Sequence, residues 1–200
     1  MAKLRNLNRE KVIQAACELV ESKGVAALTL PSLARQLDIR SQSLYNYVAN
    51  RSELLDLVGG AMITKMQRQA TDHIIGLSGM EALCSLADFI REYVIEHPAI
   101  RNIMVSLHDQ TEKSALNDAI ANFLQLVNKL RAQSQADYFP SPHIYLGAIF
   151  GYIFLDQELV GQRQSSEQRW DEYHEMLDSI CRLPGYYKKR HPHRPAHDSN

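Results

Sequence analysis

The sequence of residues 29–55 is TLPSLARQLDIRSQSLYNYVANRSELL. It predicts two short helices joined by a tight turn: Thr29 caps the first helix, and Pro31 is tolerated in its first turn. The second helix is expected from Ser41 to Val48. Small and apolar residues at helical spacing should form the core between the two helices: Leu33, Ala34, Leu37, Ile39, Leu44 and Val48. The pattern therefore predicts a helix-turn-helix.

The outward face of the predicted second helix carries hydrogen-bonding side chains and no acidic residue. Its members are Arg40, Ser41, Gln42, Ser43, Asn46 and Tyr47. In a helix-turn-helix the second helix enters the major groove of DNA while the first crosses the backbone. Donors and neutral polar groups suit phosphates and base edges. The alternative for each of these residues is an ordinary solvated helix face.

The charge distribution agrees with a polyanion partner for the N-terminal end only. Residues 1–51 hold eight basic and four acidic residues, a net charge of +4, whereas the other 149 residues carry 14 basic and 19 acidic residues, a net charge of −5. Such an asymmetry is typical of nucleic-acid-binding segments, although random scatter of charges would also produce it.

These residues carry a resemblance to a known family. The segment from Ile13 to Leu55 resembles the DNA-binding head of TetR-family (tetracycline-repressor-type) transcriptional regulators. The matching positions are Ala15, Ala16, Gly24, Leu28, Thr29, Leu33, Ala34, Leu37, Leu44, Tyr45, Val48, Arg51, Glu53, Leu54 and Leu55. The resemblance implies an all-helical, dimeric protein whose C-terminal body binds a small molecule. The stretch YLGAIFGYIFLDQELVG at 145–161, with the following helix around Trp170, Tyr173 and Leu177, is similar to the last two helices of one subgroup of the family.

Three residues depart from the family pattern. Asp38 stands in the turn where the family often has Gly, and Asp tolerates left-handed backbone better than most residues. Pro31 replaces a polar contact, so the first helix should add little base recognition. Val48 replaces the commoner Phe. Together with Arg40, Pro31 implies a different operator.

The resemblance also implies roles for individual side chains. Thr29, Tyr45, Tyr47 and Arg51 match positions that commonly contact phosphates, which set the register on DNA. The candidates for base recognition are Ser41, Gln42 and Asn46, because Gln and Asn side chains pair well with adenine edges. Ser43 lies beside them in the sequence. Arg40 is assigned either to guanine or to a phosphate. Lys3 and Arg5 form a candidate arm toward DNA.

The rest of the chain shows apolar residues at helical spacing and no strand alternation, so we expect an all-α fold of about nine helices. Asn50 and Glu53 predict a capping box for a long helix that ends near Gln69. The following helices are expected at about 79–96, 98–108, 113–135, 141–161 and 166–183. A helix before the motif is expected to be capped by Asn8 and to end at Gly24, and Ser141 before Pro142 predicts the start of the helix at 141–161. The predicted organisation is a DNA-binding domain at 1–50, a ligand-binding and dimerisation body at 51–183, and a disordered basic tail at 184–200.

A palindromic operator on double-stranded DNA requires two recognition helices, so a homodimer is expected. The best interface candidates lie on the last two helices: Gly147, Ala148, Gly151, Leu155, Trp170, Tyr173, Leu177 and Ile180. The two glycines, one turn apart, allow another helix to come close. The alternative is an intramolecular core in a monomer.

Aromatic, thioether and polar residues in the body are candidates to line a pocket for an unknown small-molecule effector. They are Met62, Phe89, Tyr93, Met104, His108, Tyr152 and Gln157. The alternative is an ordinary helical core. A second possibility is that the acidic body binds a protein partner instead of a small molecule.

Other functional classes lack their sequence signatures. The chain has an odd number of cysteines, and these lie far apart: Cys17, Cys84 and Cys181. We therefore expect neither a disulfide framework nor a thiolate metal site, and we expect the protein to reside in a reducing cytoplasm. Nucleophile-elbow, phosphate-loop and metal-binding helix motifs are absent, so no enzyme and no cofactor are expected. The longest apolar run, 144–155, is too short to span a bilayer.

Overall fold

The computed structural model describes residues 7–106, 114–134, 138–157 and 166–182. Within these ranges every regular element is a helix, which confirms the all-α class. The helices are α1 (Arg9–Lys23), α2 (Leu30–Gln36), α3 (Ser41–Leu44), α4 (Arg51–His73), α5 (Gly79–Glu96), α6 (Pro98–Ser106), α7 (Ala115–Gln133), α8 (Pro142–Leu155) and α9 (Ser166–Cys181), with a 3₁₀ turn at Val25–Ala27.

Several helix ends follow from local side-chain chemistry. The Asn8 side chain accepts a hydrogen bond from the Lys11 amide at 2.9 Å and so caps α1. Gly24 ends α1 with φ of 79°, a left-handed conformation that suits glycine. Ser141 caps α8 directly before Pro142. These three ends are where the sequence predicts them.

Other boundaries differ from the sequence prediction. The long helix α4 continues past Gln69 to His73. The α-helix α8 ends at Leu155 and is followed by a π turn at Asp156 and Gln157, while the predicted end near 161 lies outside the described residues. The predicted tail at 184–200 lies outside the described residues.

The chain forms two compact units. One, the N-terminal unit, comprises residues 1–72 and 96–123, and the other, the C-terminal unit, comprises 73–95 and 124–200. The predicted domain division after residue 50 stays a prediction.

In the N-terminal unit, α4 and α7 come into close backbone contact. A Cβ placed on Gly60 would lie 2.7 Å from the Ala115 carbonyl oxygen, so only glycine permits this approach. Four residues earlier on α4, the Asp56 carboxylate accepts hydrogen bonds from the amides of Ala115 (2.8 Å) and Leu116 (3.2 Å) and from the Ser114 hydroxyl. Asp56 therefore caps the N-terminus of α7 from another helix.

In the C-terminal unit, two buried tyrosines join helices through backbone carbonyls. The Tyr145 hydroxyl on α8 donates to the Leu83 carbonyl of α5, and the Tyr173 hydroxyl on α9 donates to the Ala87 carbonyl at 2.7 Å. Burial raises the pKa of both phenols well above the ordinary value, so they stay neutral donors. The two bonds fix α8 and α9 against α5.

Candidate nucleic-acid interface

The core of the helix-turn-helix lies where the apolar spacing predicts it. Leu33, Ala34, Leu44 and Val48 are buried at 2% exposure or less, while Leu37 and Ile39 are half-buried. The Gln36 side chain on α2 donates to the Ala15 carbonyl of α1 at 3.1 Å. The turn between α2 and α3 therefore packs against a small hydrophobic core that is formed by α1, α2 and α3.

Asp38 makes the turn possible. Its φ is 55°, the left-handed conformation that the sequence assigns to this position. The next amide, of Ile39, donates back to the Ala34 carbonyl at 3.0 Å and closes the end of α2. The replacement of glycine by aspartate therefore leaves the motif intact.

The α-helical part of the predicted second helix of the motif is shorter than the predicted span of Ser41 to Val48. The helix ends at Leu44, and Val48 does not belong to it. The amides of Tyr45, Asn46 and Tyr47 instead bond the carbonyls three residues earlier, at 2.8 to 3.4 Å. The Val48 amide, by contrast, donates to the Leu44 carbonyl four residues earlier at 3.0 Å, so the tighter winding is confined to residues 45–47.

The predicted DNA-contacting side chains share the solvent side of this segment. Arg40, Gln42, Tyr45 and Asn46 are exposed, with Tyr45 at 58%, and the half-buried members are Ser41, Ser43 and Tyr47. An aromatic side chain this exposed is in contact with little of the protein itself, and it is available to a partner.

Two residues predicted to contact phosphates also bind their own backbone. The Thr29 hydroxyl accepts from the Ser32 amide at 3.2 Å and donates to the Ser32 hydroxyl at 3.0 Å, a capping box built with Ser in the place of Glu. The Tyr47 hydroxyl donates to the Leu7 carbonyl at 3.2 Å and ties the segment before α1 to the end of the motif. Lys3 and Arg5 fall outside the described residues.

Arg51 holds a structural position that the sequence reasoning missed. Its Nε donates to the Leu28 carbonyl at 2.7 Å and its Nη2 to the Val25 carbonyl at 3.3 Å. The guanidinium therefore fixes the 3₁₀ turn that precedes α2. No local pattern announces this contact, because its partners are backbone atoms more than twenty residues away.

The predicted capping box at the start of α4 is only half correct. Asn50 does accept the Glu53 amide at 2.9 Å, but the Glu53 carboxylate reaches the Ala49 amide at 2.6 Å, not the Asn50 amide. The other Glu53 oxygen accepts from Arg9 of α1 at 2.7 Å. Glu53 thus joins the end of the recognition segment to the first helix.

The candidate pocket residues occupy ordinary packing positions in each unit. In the N-terminal unit, Met62 is 3% exposed and packs near Met104 around a space too small for a water molecule. In the C-terminal unit, Phe89 and Tyr93 stack with ring centroids 5.5 Å apart. The remaining candidates, Tyr152 and Gln157, are half-buried, and His108 lies outside the described residues.

The candidate dimer residues divide into exposed and buried groups. Gly147, Gly151 and Leu155 are exposed, Ala148, Trp170 and Ile180 are half-buried, and Ile144 is 55% exposed. Tyr173 and Leu177 are 0% and 1% exposed, so their prediction as interface residues is wrong in this structure. Both belong to the core of their own unit, because the apolar stripe of α9 is covered from within the chain.

Across the described ranges, no group of three or more His, Cys, Asp or Glu side chains is placed to hold a metal ion. The helices among these residues include none with the length and hydrophobicity required to cross a bilayer.

Sequence comparison finds relatives that match part of the chain. No family model matches it. An uncharacterised HTH-type transcriptional regulator, YobS of Bacillus subtilis, is 26% identical over 105 residues, 52% of this chain and 55% of that protein. The class D tetracycline repressor protein of Escherichia coli is 39% identical over 62 residues, 31% of this chain and 28% of the repressor. The chain therefore spans about half or less of the length of these curated relatives.

Solved structures share the fold over most of the chain. A protein of Shewanella sp. PV-4 assigned to the TetR family of transcription regulators superposes with a TM-score of 0.62 at 12% identity, covering 88% of this chain and 99% of that one. BioQ in complex with its natural double-stranded DNA operator superposes with a TM-score of 0.59 at 21% identity, covering 88% and 98%. At these identities the likeness establishes the fold.

Proposed function

We propose that this chain, a TetR-family protein by its fold and by the sequence of its helix-turn-helix head, is a ligand-responsive transcriptional repressor. It binds a palindromic operator as a homodimer in the cytoplasm, and a small-molecule effector releases it. It is not an enzyme. The observation that carries the proposal is the segment from Arg40 to Tyr47, which presents hydrogen-bonding side chains to solvent on a buried, capped scaffold.

The division of labour within the head follows from side-chain chemistry. Gln42 and Asn46 are exposed amides that pair with adenine edges, and Ser41 with Ser43 supplies smaller contacts. Arg40 addresses guanine or a phosphate. Tyr45 and Tyr47 contact phosphates through their hydroxyls. Thr29 and Arg51 also contact phosphates, through the hydrogen-bonding groups that are not used in their bonds to the protein backbone.

Dimerisation uses the exposed face of α8. Apart from the backbone of α8 itself, none of the described residues has an atom within 4 Å of a notional Cβ on Gly147 or Gly151, so a partner helix can approach the backbone there. Ile144 and Leu155, at 55% and 51% exposure, extend the same face with apolar surface. The half-buried Ala148 on α8, and Trp170 and Ile180 on α9, remain candidates for the same interface.

Release by an effector requires a ligand that prefers one arrangement of the protein over another. The candidate residues for it remain Met62, Phe89, Tyr93, Met104, His108, Tyr152 and Gln157. The competing proposal is that the body binds a protein partner. A thermal-shift screen separates the two, because a small molecule that binds only the folded state raises the melting temperature.

The decisive experiment is selection of bound sequences from random duplex DNA, followed by the same selection with Gln42→Ala. A palindrome is expected from the unchanged protein. The substitution should relax preference at one position of each half-site, by about 1–3 kcal/mol. Gln69→Ala, which removes an exposed amide from α4, is the matched control and should leave the profile unchanged. A profile untouched by Gln42→Ala contradicts the assignment of this residue.

A further inference from the structure

The C-terminal unit contains a buried guanidinium that lacks a close partner among the described residues. Arg91 of α5 is 4% exposed, and its Nε has no hydrogen-bond partner within the described part of the chain. Among the described residues, its closest carboxylate oxygen is Oδ2 of Asp156, 3.7 Å from Nη2 and beyond hydrogen-bonding distance. Burial lowers the pKa of Arg91, and the Asp156 carboxylate opposes this shift. A buried donor left without an acceptor is unfavourable and calls for an explanation.

A second arginine faces the same carboxylate. Arg169, in the first turn of α9, places Nη1 at 4.0 Å from Oδ1 of Asp156, and its own Nε is buried with no partner among the described residues. The Asp156 carboxylate accepts a 3.0 Å hydrogen bond from its neighbour Gln157. One carboxylate therefore stands between two guanidinium groups, which leaves a net charge of +1 in the cluster of Arg91, Asp156 and Arg169.

Two further acids lie near this cluster among the described residues: the exposed Glu172 of α9, which acts on Tyr152, and Asp88 of α5. Asp88 of α5 forms a 3.0 Å contact with Nε2 of His174 on α9. The Asp88 carboxylate is thus paired with His174 and is not within ion-pairing distance of either arginine of the cluster.

Aromatic rings surround the cluster. The Cζ atom of Arg91 lies 4.2 Å from the centroid of Trp170 and 5.4 Å from that of Tyr173. Trp170 and Tyr152 are half-buried, and the Tyr152 hydroxyl donates to the Arg169 carbonyl at 2.9 Å. Burial, with the nearby Asp156 carboxylate, raises the pKa of Tyr152 to about 12, so this hydroxyl stays protonated. Convergent cations within an aromatic wall are the features of a small-molecule site.

We propose that Arg91 and Arg169 together bind the carboxylate of a small molecule that has an apolar body. A guanidinium pairs with a carboxylate through two parallel hydrogen bonds, which would satisfy the Nε groups that the described residues leave without acceptors. One net positive charge matches one carboxylate better than a dianionic phosphate. The rings of Trp170 and Tyr152 supply apolar surface for the rest of the molecule. The site does not depend on the proposed DNA binding.

The chain carries its own probe for this site, because Trp170 is its one tryptophan. Titration with sodium acetate, sodium hexanoate or sodium phosphate, at an ionic strength held constant with sodium chloride, is followed by tryptophan fluorescence. We expect saturable changes with both carboxylates. Hexanoate should bind at least ten times more tightly than acetate, since each buried methylene adds about fourfold in affinity.

Variants assign the response to the two arginines. Arg169→Gln should weaken hexanoate binding at least tenfold, and its melting curve should stay close to that of the control Arg131→Gln, an exposed arginine of α7 in the same unit. Arg91→Lys keeps the charge but loses the two-pronged geometry, and should weaken binding similarly if it folds. Because Arg169 is partly exposed, its substitution tests the site even if Arg91→Lys does not fold.

Three results would overturn the proposal. The first is a fluorescence change that is linear in carboxylate concentration or is equally produced by chloride. The second is a response to phosphate without one to carboxylates. The third is equal weakening of hexanoate binding by Arg169→Gln and by Arg131→Gln.

Discussion

Gly60 shows how one missing side chain sets the distance between two helices. A Cβ at this position would lie 2.7 Å from the carbonyl oxygen and 2.8 Å from the carbonyl carbon of Ala115. Real Cβ atoms do not approach backbone so closely, so α4 and α7 would have to separate. Helix propensity has the opposite effect on stability, because replacing Gly by Ala in a helix interior raises the free energy of unfolding by about 0.5–1 kcal/mol.

We therefore predict that Gly60→Ala lowers the free energy of unfolding. The strain of overpacking, up to about 3 kcal/mol, exceeds the gain in propensity. Gln69→Ala, at an exposed position of the same helix, is the control, since only the small gain in helix propensity applies there. Urea denaturation of both variants measures the difference. If Gly60→Ala raised the free energy of unfolding as much as the control does, α4 and α7 would be able to separate at Ala115 without a loss of stability.

Arg51 contributes to stability through its contacts with the backbone. Its two hydrogen bonds to the carbonyls of Leu28 and Val25 are charge-assisted. The glutamine of Arg51→Gln is shorter and uncharged, so it cannot make these two bonds. We predict a loss of about 1–3 kcal/mol in the free energy of unfolding. Arg35→Gln, at an exposed position of α2, should change stability by less than about 0.5 kcal/mol. Chemical denaturation monitored by circular dichroism checks both values.

At the scale of helices, Asp56 couples α4 to the start of α7. Its carboxylate accepts from two backbone amides and one hydroxyl at a helix N-terminus, where a negative charge is favoured by the helix dipole. Asp56→Asn keeps the shape but removes the charge and one acceptor. We predict a loss of about 1–2 kcal/mol in unfolding free energy, comparable with the loss of a helix cap.

The control for that prediction is Asp72→Asn, an exposed carboxylate near the other end of α4. It should be nearly neutral. Hydrogen exchange of the first-turn amides of α7 adds a local measurement, since their protection should fall in Asp56→Asn alone. Unchanged protection in that variant would mean that the cap is not what holds the start of α7.

The helices could be predicted from the sequence wherever the signal was local. Asn8, Gly24, Thr29 and Ser141 act on amides or on the backbone within a few residues, and each marks a helix end as predicted. The end of α3 at Leu44 was missed, because Leu44 and Val48 are both buried and the Val48 amide still donates to the Leu44 carbonyl at 3.0 Å, so the apolar spacing does not reveal the tighter turns between them.

Contacts between distant segments could not be predicted from local pattern. The partners of Arg51 and Asp56 lie 23 or more residues away in the chain, and no periodicity encodes them. The burial of Tyr173 and Leu177 was missed for a related reason. An apolar stripe on a helix specifies that the stripe is covered, but it does not specify whether the cover comes from the same chain or from a partner.

At the scale of the whole molecule, the proposed homodimer depends on apolar surface that the chain itself leaves uncovered. Ile144, Gly147, Gly151 and Leu155 recur on α8 at helical spacing, and all four are exposed. Leu155→Glu places a charge on this face, and burial of that charge against a second copy would be strongly unfavourable. We predict that the variant is monomeric by light scattering at concentrations where the unchanged protein is dimeric.

The same variant tests whether dimerisation carries operator affinity. A monomer presents one recognition segment, so Leu155→Glu should bind a palindrome no more tightly than a single half-site, as measured by fluorescence anisotropy. Ile75→Glu is the matched control, because Ile75 is 75% exposed and lies in the turn after α4, away from the α8 face in sequence and element. It should leave both the mass and the palindrome affinity unchanged. A dimeric Leu155→Glu protein with full palindrome affinity would contradict the assignment of this face, whereas loss of half-site binding as well would indicate damage to the fold.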